Sequence, residues 1–270
     1  MPTIAQALAQ ARALGLDRLD AQLIVAARLE RPRSWIIAND EAAIDEAQAA
    51  AIHAWFARRA AGEPFAYLVG EKEFHGLSLQ VDARVLVPRP DTEVLVDWAI
   101  ELLAGARAPR VVDLGTGSGA IALAVKRACP HAAVLATDAS ADALTVARAN
   151  AERLALDVAL AQGSWWSAAA DARFELVLSN PPYIAGQDSH LAALRHEPML
   201  ALTPGGDGLD ALREIVRGAA AHMVPGAWLL LEHGYDQADA VQALLGAHGF
   251  ADIATRRDLG GQPRCTGARL

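Results

Sequence analysis

The sequence predicts an α/β protein with a doubly wound, mostly parallel sheet of seven strands, preceded by a small N-terminal helical bundle and a linking β-hairpin. From residue 110 onward, short apolar segments alternate with segments of helical periodicity, which is typical of parallel strands joined by right-handed crossovers. Residues 1 to about 62 show helical periodicity alone, and residues 73–81 alternate around a central glycine. We therefore predict three parts, residues 1–70, 71–87 and 88–270.

The N-terminal bundle is predicted from three alanine-rich segments that carry apolar residues at helical spacing, residues 4–14, 20–29 and about 45–59. The breaks between these segments fall at Gly15, at Pro32 and at Gly62-Glu63-Pro64, which are helix stops. A bundle of this size suits the adaptation of a catalytic domain to a partner.

The segment at residues 85–93 is predicted to be extended, because Pro88 and Pro90 disfavour helix at the residues before them. Asp91 or Thr92 is expected to cap the helix that follows, to about residue 103. Strands are predicted at residues 110–113, 133–137, 158–161, 175–179, 228–232 and 252–256. Helices are predicted at residues 120–128, 141–154, 209–221 and 237–245, and residues 265–270 are expected to add one more edge strand.

The composition argues against several classes of protein. The formal net charge is -8, which weighs against a protein that grips nucleic acid, since phosphate contacts need Lys and Arg. Cys129 and Cys265 form no Cys-x-x-Cys pair, so we expect reduced thiols and no metal site. Because the chain shows no signal peptide and no apolar stretch near the roughly 20 residues that span a bilayer, we expect a soluble, cytoplasmic protein. We also expect a monomer, since no apolar stripe is left obviously unburied.

A cofactor site is predicted where a strand, a glycine turn and a helix start follow one another, because glycines let the backbone approach a ligand. The expected contacts there are Asp113, Gly115, Thr116, Gly117, Ser118 and Gly119. At the end of the next strand, Asp138 can accept hydrogen bonds from both hydroxyls of a ribose. Trp165 is placed either to cover an adenine or to pack in the core.

This glycine turn alone does not decide the cofactor, because it fits the nicotinamide dinucleotide fingerprint as well as S-adenosylmethionine. Asp113 favours the methyl donor, which carries a sulfonium and an ammonium group but no phosphate.

The catalytic prediction rests on Asn180-Pro181-Pro182-Tyr183, which leaves the end of a predicted strand. Pro181 holds Asn180 extended, and the two prolines remove two amide donors, so a rigid row of acceptors remains. That row, the Asn180 side-chain oxygen and nearby carbonyls, can accept both hydrogens of one planar NH2 group and orient its nitrogen toward a methyl carbon. Tyr183 can pack on the amide or line the methyl path. Nucleobase amines and side-chain amides are equally eligible for such a site.

Four motifs in order resemble the peptide chain release factor glutamine methyltransferases, and the resemblance covers nearly the whole chain. The motifs are Pro88-Arg89-Pro90-Asp91-Thr92-Glu93, Asp113-Leu114-Gly115-Thr116-Gly117-Ser118-Gly119, Asn180-Pro181-Pro182-Tyr183 and Leu231-Glu232-His233-Gly234. The resemblance implies a Rossmann-like methyltransferase sheet, with S-adenosyl-L-methionine as donor and S-adenosyl-L-homocysteine as product. It further implies methylation of the glutamine in the Gly-Gly-Gln motif of release factors, at the side-chain amide nitrogen N5. It also implies that the N-terminal helical domain helps to dock the release factor.

The resemblance also implies roles for individual residues. The donor would be held by Gly115 to Gly119, Asp138, Trp165 and Asn180, and the glutamine by Asn180, Pro181, Pro182 and Tyr183. Arg89 and Glu93 look like supports of the pocket, although an ion pair that links domains is an equal alternative.

Some positions depart from the family pattern. Ser164 stands where an acidic residue is common, so no adenine contact is assigned to it, and His196 replaces an aromatic residue. Residues 184–206 are therefore open to interpretation as a lid, a substrate loop or an ordinary loop. His233 is interpreted as structural, and Gly260-Gly261-Gln262 as a turn between the last two strands rather than an internal substrate.

Three alternative functions remain. One is a related enzyme that methylates a glutamine of a large-subunit ribosomal protein. A DNA adenine-N6 methyltransferase is disfavoured by the acidic charge balance. The third is a protein that binds the cofactor without catalysis.

Overall fold

A computed structural model describes residues 1–270, which form two compact units, Met1–Gly70 and Glu71–Leu270. The first unit is helical, and the second contains both β-sheets. None of the helices combines the length and the apolar character that crossing a membrane requires.

The N-terminal unit has five helices, α1 (Ile4–Ala13), α2 (Arg18–Leu29), α3 (Arg33–Ala38), α4 (Glu46–Ala60) and α5 (Phe65–Val69). The three predicted helices are confirmed as α1, α2 and α4. Each begins at a side chain that accepts a backbone N–H three residues on, from Thr3, Asp17 or Asp45. Helices α3 and α5 were missed because six and five residues are too short to show helical periodicity.

A β-hairpin opens the second unit, with strands β1 (Glu71–Phe74) and β2 (Leu77–Gln80). His75 and Gly76 form its two-residue turn, and both have positive φ, 47° and 74°, as a tight turn of right-handed twist requires. The inward side chains Phe74, Leu77 and Leu79 are buried in one core of the second unit. The predicted hairpin is therefore confirmed, and it contributes to that core.

The segment after the hairpin leads into α6 (Glu93–Leu103) through a short 3-10 turn at Pro90–Thr92. The predicted side-chain cap is wrong: Thr92 occupies the N-cap position, but its side chain caps no backbone N–H. Its hydroxyl oxygen instead accepts a hydrogen bond from Asn180 Nδ2, while Asp91 pairs with Arg264. Tertiary partners have displaced the local cap.

The remaining chain alternates strands and helices as predicted. The strands are β3 (Arg110–Leu114), β4 (Ala133–Asp138), β5 (Ala159–Gln162), β6 (Phe174–Ser179), β7 (Met223–Glu232), β8 (Ala251–Arg257) and β9 (Pro263–Arg269). The helices are α7 (Ala120–Ala128), α8 (Ala141–Leu154), α9 (Asp210–His222) and α10 (Ala238–Ala247).

The large sheet has seven strands in the order β5-β4-β3-β6-β7-β9-β8. Strands β3 to β7 run parallel, and β9 is antiparallel to both of its neighbours. The doubly wound, mostly parallel fold is thus confirmed. The expectation that the C-terminal strand lies at an edge is wrong, because β9 enters between β7 and β8 and leaves β8 at the edge. The crossover through α10 leaves room for one strand between β7 and β8. After β8 the chain turns back, and β9 fills that gap.

Helices cover both faces of this sheet and give it two cores. One core joins the hairpin to α6 and α7, through residues such as Leu95 and Leu123. The other joins α9 and α10 to the opposite face, through residues such as Ile215 and Leu245. Strands buried on both faces are apolar throughout, and their polar chemistry is confined to their ends. The carboxyl edge of the sheet is therefore where a site can form.

Candidate active site

A cavity of about 600 Å³ lies at the carboxyl ends of β3, β4 and β6. The predicted site residues on its wall are Arg89, Gly115, Thr116, Gly117, Ser118, Asp138, Trp165, Asn180 and Pro182. Asp113, Gly119, Glu93, Pro181 and Tyr183 are not on the wall. The fold therefore gathers most of the predicted residues around one space and places the others behind it.

The glycine turn is shaped by positive φ at Gly115, Gly117 and Gly119, with values of 77°, 55° and 86°. The amides of Gly115 and Thr116 both donate to the Thr137 carbonyl, at 2.9 and 2.8 Å, which closes the turn against the end of β4. A Cβ at Gly119 would lie 3.0 Å from Leu123 Cδ1, so this glycine permits close packing of the helix start. Gly115 and Gly117 thus present backbone without a side chain to the cavity.

The Asp138 carboxylate sits beside that turn at the end of β4. Its Oδ2 accepts the Gly117 amide and its Oδ1 accepts the Ser140 amide, both at 2.9 Å. Burial raises the pKa of Asp138 above its ordinary value, against these two hydrogen bonds. Each carboxylate oxygen keeps a second lone pair, so the group can still accept hydroxyls from the cavity side.

Asp113 is fully buried beneath the turn and does not reach the cavity wall. Its Oδ2 accepts the Thr116 hydroxyl at 2.6 Å, while its Oδ1 has no hydrogen-bond partner. Desolvation raises the pKa of Asp113 to about 7. In this arrangement the residue supports the turn from below.

Trp165 follows β5 in a short 3-10 turn and has a φ of 46°. Its ring covers Gly115, whose ideal Cβ would be 3.4 Å from the indole. The ring lies on the cavity wall and also packs against a buried core, while its contact with an adenine stays a prediction. The adjacent Trp166 belongs to the core side, where its Nε1 donates to the Ile215 carbonyl at 2.9 Å.

Asn180-Pro181-Pro182-Tyr183 leaves the end of β6, and both of its polar side chains are tied to buried groups. Asn180 Nδ2 donates to Thr92 Oγ1 at 3.2 Å, which leaves the Asn180 oxygen as the atom available to the cavity. The Tyr183 hydroxyl donates to Glu232 Oε1 at 3.1 Å, away from the cavity. Burial and the Glu232 charge raise the pKa of Tyr183 far above its ordinary value.

Glu232, at the end of β7, is itself buried, and desolvation raises its pKa to about 7. The sequence contained a signal for this residue, because a carboxylate that ends an apolar parallel strand must lie at the same edge as the site. The Tyr183 carbonyl is held as well, since Gln237 Nε2 donates to it at 3.0 Å.

Arg89 and Glu93 do not pair with each other, so the alternative of an ion pair between them is wrong. Arg89 Nη2 contacts Glu197 Oε1, and the other Glu197 oxygen accepts the Val87 amide at 3.0 Å. Glu93 Oε1 accepts the His75 amide at 3.0 Å in the hairpin turn. Glu197 was missed because it lies 108 residues from Arg89, beyond any local pattern.

The loop at residues 184–206 supplies one side of the cavity through Pro198, Leu200, Ala201, Thr203 and Pro204. It is pinned at its ends, where the Ile184 amide donates to the Leu202 carbonyl and the Gly186 amide to the Gly206 carbonyl. Leu200 remains 67% exposed although it lines the cavity. Residues of this loop therefore form part of the cavity wall, and its interpretation as a lid, a substrate loop or an ordinary loop stays a prediction.

His233 is buried, with Nδ1 2.8 Å from the Gly234 carbonyl and Nε2 2.7 Å from Thr266 Oγ1. It joins β7 to β9, which agrees with the structural interpretation. Gly260-Gly261-Gln262 is a turn between β8 and β9, as predicted, closed by the Asp258 amide donating to the Gln262 carbonyl at 2.9 Å.

Comparison with known proteins identifies the family. Residues 92–208 match the methyltransferase small domain, and residues 3–70 match the PrmC N-terminal domain. A release factor glutamine methyltransferase of Bordetella pertussis is 49% identical over 95% of this chain and 96% of its own length. One from Burkholderia pseudomallei is 49% identical over 100% of this chain and 98% of its own.

Among solved structures, a methyltransferase from Pyrococcus furiosus has a TM-score of 0.52 at 17% identity and covers 72% of this chain and 89% of its own. That likeness supports the Rossmann-like methyltransferase fold. The sequence identities to the curated relatives extend over both units of the chain. The protein is a methyltransferase and belongs to the release factor glutamine methyltransferase family.

Proposed function

We propose that the protein transfers a methyl group from S-adenosyl-L-methionine to N5 of the glutamine in the Gly-Gly-Gln motif of peptide chain release factors, leaving S-adenosyl-L-homocysteine. The observation that carries the proposal is the Asn180 carboxamide. Its nitrogen is engaged by Thr92, so its oxygen is left as an acceptor on the wall of a 600 Å³ cavity.

The cavity fits the donor by its chemistry. Asp138 offers a carboxylate for ribose hydroxyls, Trp165 offers an indole face for adenine, and the glycine turn offers bare backbone. When bound, the donor supplies a methyl group on a positively charged sulfur. Asp113 lies behind the turn, where its charge acts through Thr116 rather than by direct contact.

The acceptor half of the site suits an amide nitrogen, which is a poor nucleophile because its lone pair is delocalised. Asn180 Oδ1 and the carbonyls of the proline segment accept the two N–H groups and hold the nitrogen in line for attack. Positioning of this kind contributes up to about 7–11 kcal/mol. No base is required before attack, since the proton can leave the nitrogen afterwards.

The choice of substrate follows from the relatives, which are named for release factor glutamine. We assign residues 88–270 to catalysis, residues 71–87 to the hairpin linker, and residues 1–70 to docking of the release factor. The site of action is the cytoplasm, where translation terminates. A large-subunit ribosomal protein is the second candidate substrate, since it would present the same amide.

Mass spectrometry of a release factor incubated with the protein and the donor tests this proposal. We expect a gain of one methyl group on the Gly-Gly-Gln glutamine and none on a release factor with asparagine there. Asn180→Ala should abolish the transfer. Gln262→Ala, in the chain's own Gly-Gly-Gln, should leave it unchanged. Methylation confined to a ribosomal protein or to DNA would refute the assignment.

A further inference from the structure

A buried carboxylate lies behind Asn180-Pro181-Pro182-Tyr183, the amide clamp that is proposed to hold the substrate amide. The proposed function gives this carboxylate no role. Glu232 is 1% exposed at the end of β7 and is absent from the cavity wall. Its Oε1 accepts the Tyr183 hydroxyl at 3.1 Å, and its Oε2 has no hydrogen-bond partner. A buried carboxylate with one oxygen unpaired costs free energy of folding, so its presence at this position calls for a reason.

Thr92 connects this carboxylate to Asn180. The Thr92 oxygen accepts Asn180 Nδ2 at 3.2 Å, so its own hydroxyl proton must be donated elsewhere. The hydroxyl lies beside Glu232 and lowers the pKa of that carboxyl, as the Tyr183 hydroxyl also does. Glu232 Oε2 has no hydrogen-bond partner in the structure, so it is free to accept this proton.

We propose that Glu232 is a positioning residue for methyl transfer, which through Thr92 fixes the Asn180 carboxamide with its oxygen toward the substrate. The inference rests on the proposed function, because it concerns the same acceptor site. The carboxylate accepts from Thr92, Thr92 accepts from Asn180 Nδ2, and Asn180 Oδ1 is thereby turned to the cavity. The Glu232–Tyr183 hydrogen bond anchors the other end of the tetrapeptide to the same carboxylate.

The direction of this chain of hydrogen bonds depends on the charge of Glu232. A protonated carboxyl can donate to Thr92, which then donates to Asn180, and the carboxamide turns its NH2 toward the cavity. Two NH2 groups cannot hydrogen-bond each other as donor and acceptor, so the substrate amide is no longer held. The clamp therefore works with Glu232 ionised.

The surroundings of Glu232 place its ionisation near neutrality. Desolvation, with a smaller contribution from the charge of Asp91, raises its pKa to about 7, whereas the charge of Arg264 lowers it. Tyr183 faces it as a neutral donor and Cys265 as a buried thiol whose own pKa is raised. We therefore expect kcat to fall as pH drops below about 7, because the ionised fraction of Glu232 falls.

Substitutions at Thr92 test the proposal. Thr92→Val keeps the shape but removes the acceptor, and it should lower kcat for release factor methylation about tenfold, with KM for the donor within about twofold. Thr92→Ser keeps the hydroxyl and should retain most of the activity. Thr266→Val is the matched control, since its buried hydroxyl contacts His233 and Thr255 instead, and its kcat should match wild type.

The pH profile supplies a readout that a merely structural role would not change. Wild type, Thr92→Ser and Thr266→Val should lose kcat together below pH about 7, whereas Thr92→Val and Glu232→Gln should be low and flat across that range. A loss under about threefold for Thr92→Val, or equal losses for valine and serine, overturns the inference. If wild type fails to methylate the release factor, the proposed function itself is refuted, which is a separate outcome.

Discussion

The ion pair between Arg89 and Glu197 allows us to predict how much folding stability is lost when one partner is removed. The Glu197 side chain is 3% exposed, and its two oxygens are engaged by the Arg89 guanidinium and the Val87 amide. Arg89→Met removes the only countercharge seen at this carboxylate and leaves a buried charge with one backbone donor. The perturbation therefore isolates the cost of an unpaired buried carboxylate.

The magnitude follows from the burial of the two partners. Breaking a fully buried pair from one side costs about 3–5 kcal/mol. The Arg89 side chain is 37% exposed, so solvent already screens the pair and water can enter the space that the guanidinium vacates. A loss of about 2 kcal/mol is then expected, in the range of a hydrogen bond to a charged group. For a unit of this size, that corresponds to a fall in Tm of about 4–8 °C.

Thermal unfolding of four proteins measures this: wild type, Arg89→Met, Glu197→Gln and the double variant. Glutamine can still accept the Val87 amide without a charge, so the double variant should recover most of the lost stability. Glu197→Gln alone should cost under about 1 kcal/mol, since the exposed part of Arg89 stays hydrated. Equal instability of Arg89→Met and the double variant would refute the reasoning, as would an unchanged Tm for Arg89→Met.

Three further outcomes are expected. Gly208→Ala should lower both Tm and kcat, because the φ of Gly208 is 83° and a Cβ there would lie 2.3 Å from the Tyr183 carbonyl oxygen. Gly249→Ala is the control: its φ is 82° but a Cβ would meet open space, so only Tm should fall. Trp165→Ala should weaken binding of S-adenosylmethionine about tenfold by calorimetry, and a change within twofold would show that the ring does not cover the adenine. Burial raises the pKa of the Asp113 carboxyl from its ordinary value to about 7. In the pH range between those two pKa values the folded protein binds more protons than the unfolded chain, so its stability falls as pH rises through that range. Asp113→Asn should therefore raise Tm more at pH 8 than at pH 5, and equal shifts at both values would contradict this cause.

Much of the fold was predictable because its signals are local. The alternation of strands and helices from residue 110 gave a doubly wound sheet, and the parallel strands required the glycine turn and Asn180 to meet at one edge. The hairpin was predictable from a turn at His75 and Gly76 that requires positive φ. The short helices α3 and α5 lacked enough residues to show a period.

Part of the cavity wall was predictable for the same reason, because its signals lie at turns and strand ends. Residues near a turn or a strand end, such as Asp138 and Trp165, lie on the cavity wall, and their contacts with a cofactor stay predictions. Asp113 and Tyr183 were expected at the ligands and lie behind the wall instead, because a side chain's direction depends on what packs around it.

The sequence by itself determined which chemistry the chain carries: a glycine turn, a carboxylate after the next strand, and an acceptor-rich tetrapeptide after another. These depend on backbone preferences within a few residues, which a linear sequence displays directly. Only the tertiary structure decided that β9 lies inside the sheet, that Thr92 binds Asn180 instead of capping a helix, and that Glu197 pairs with Arg89. Those choices depend on strand register and on desolvation between residues far apart in the chain, where a buried polar group takes whichever partner the fold brings within reach.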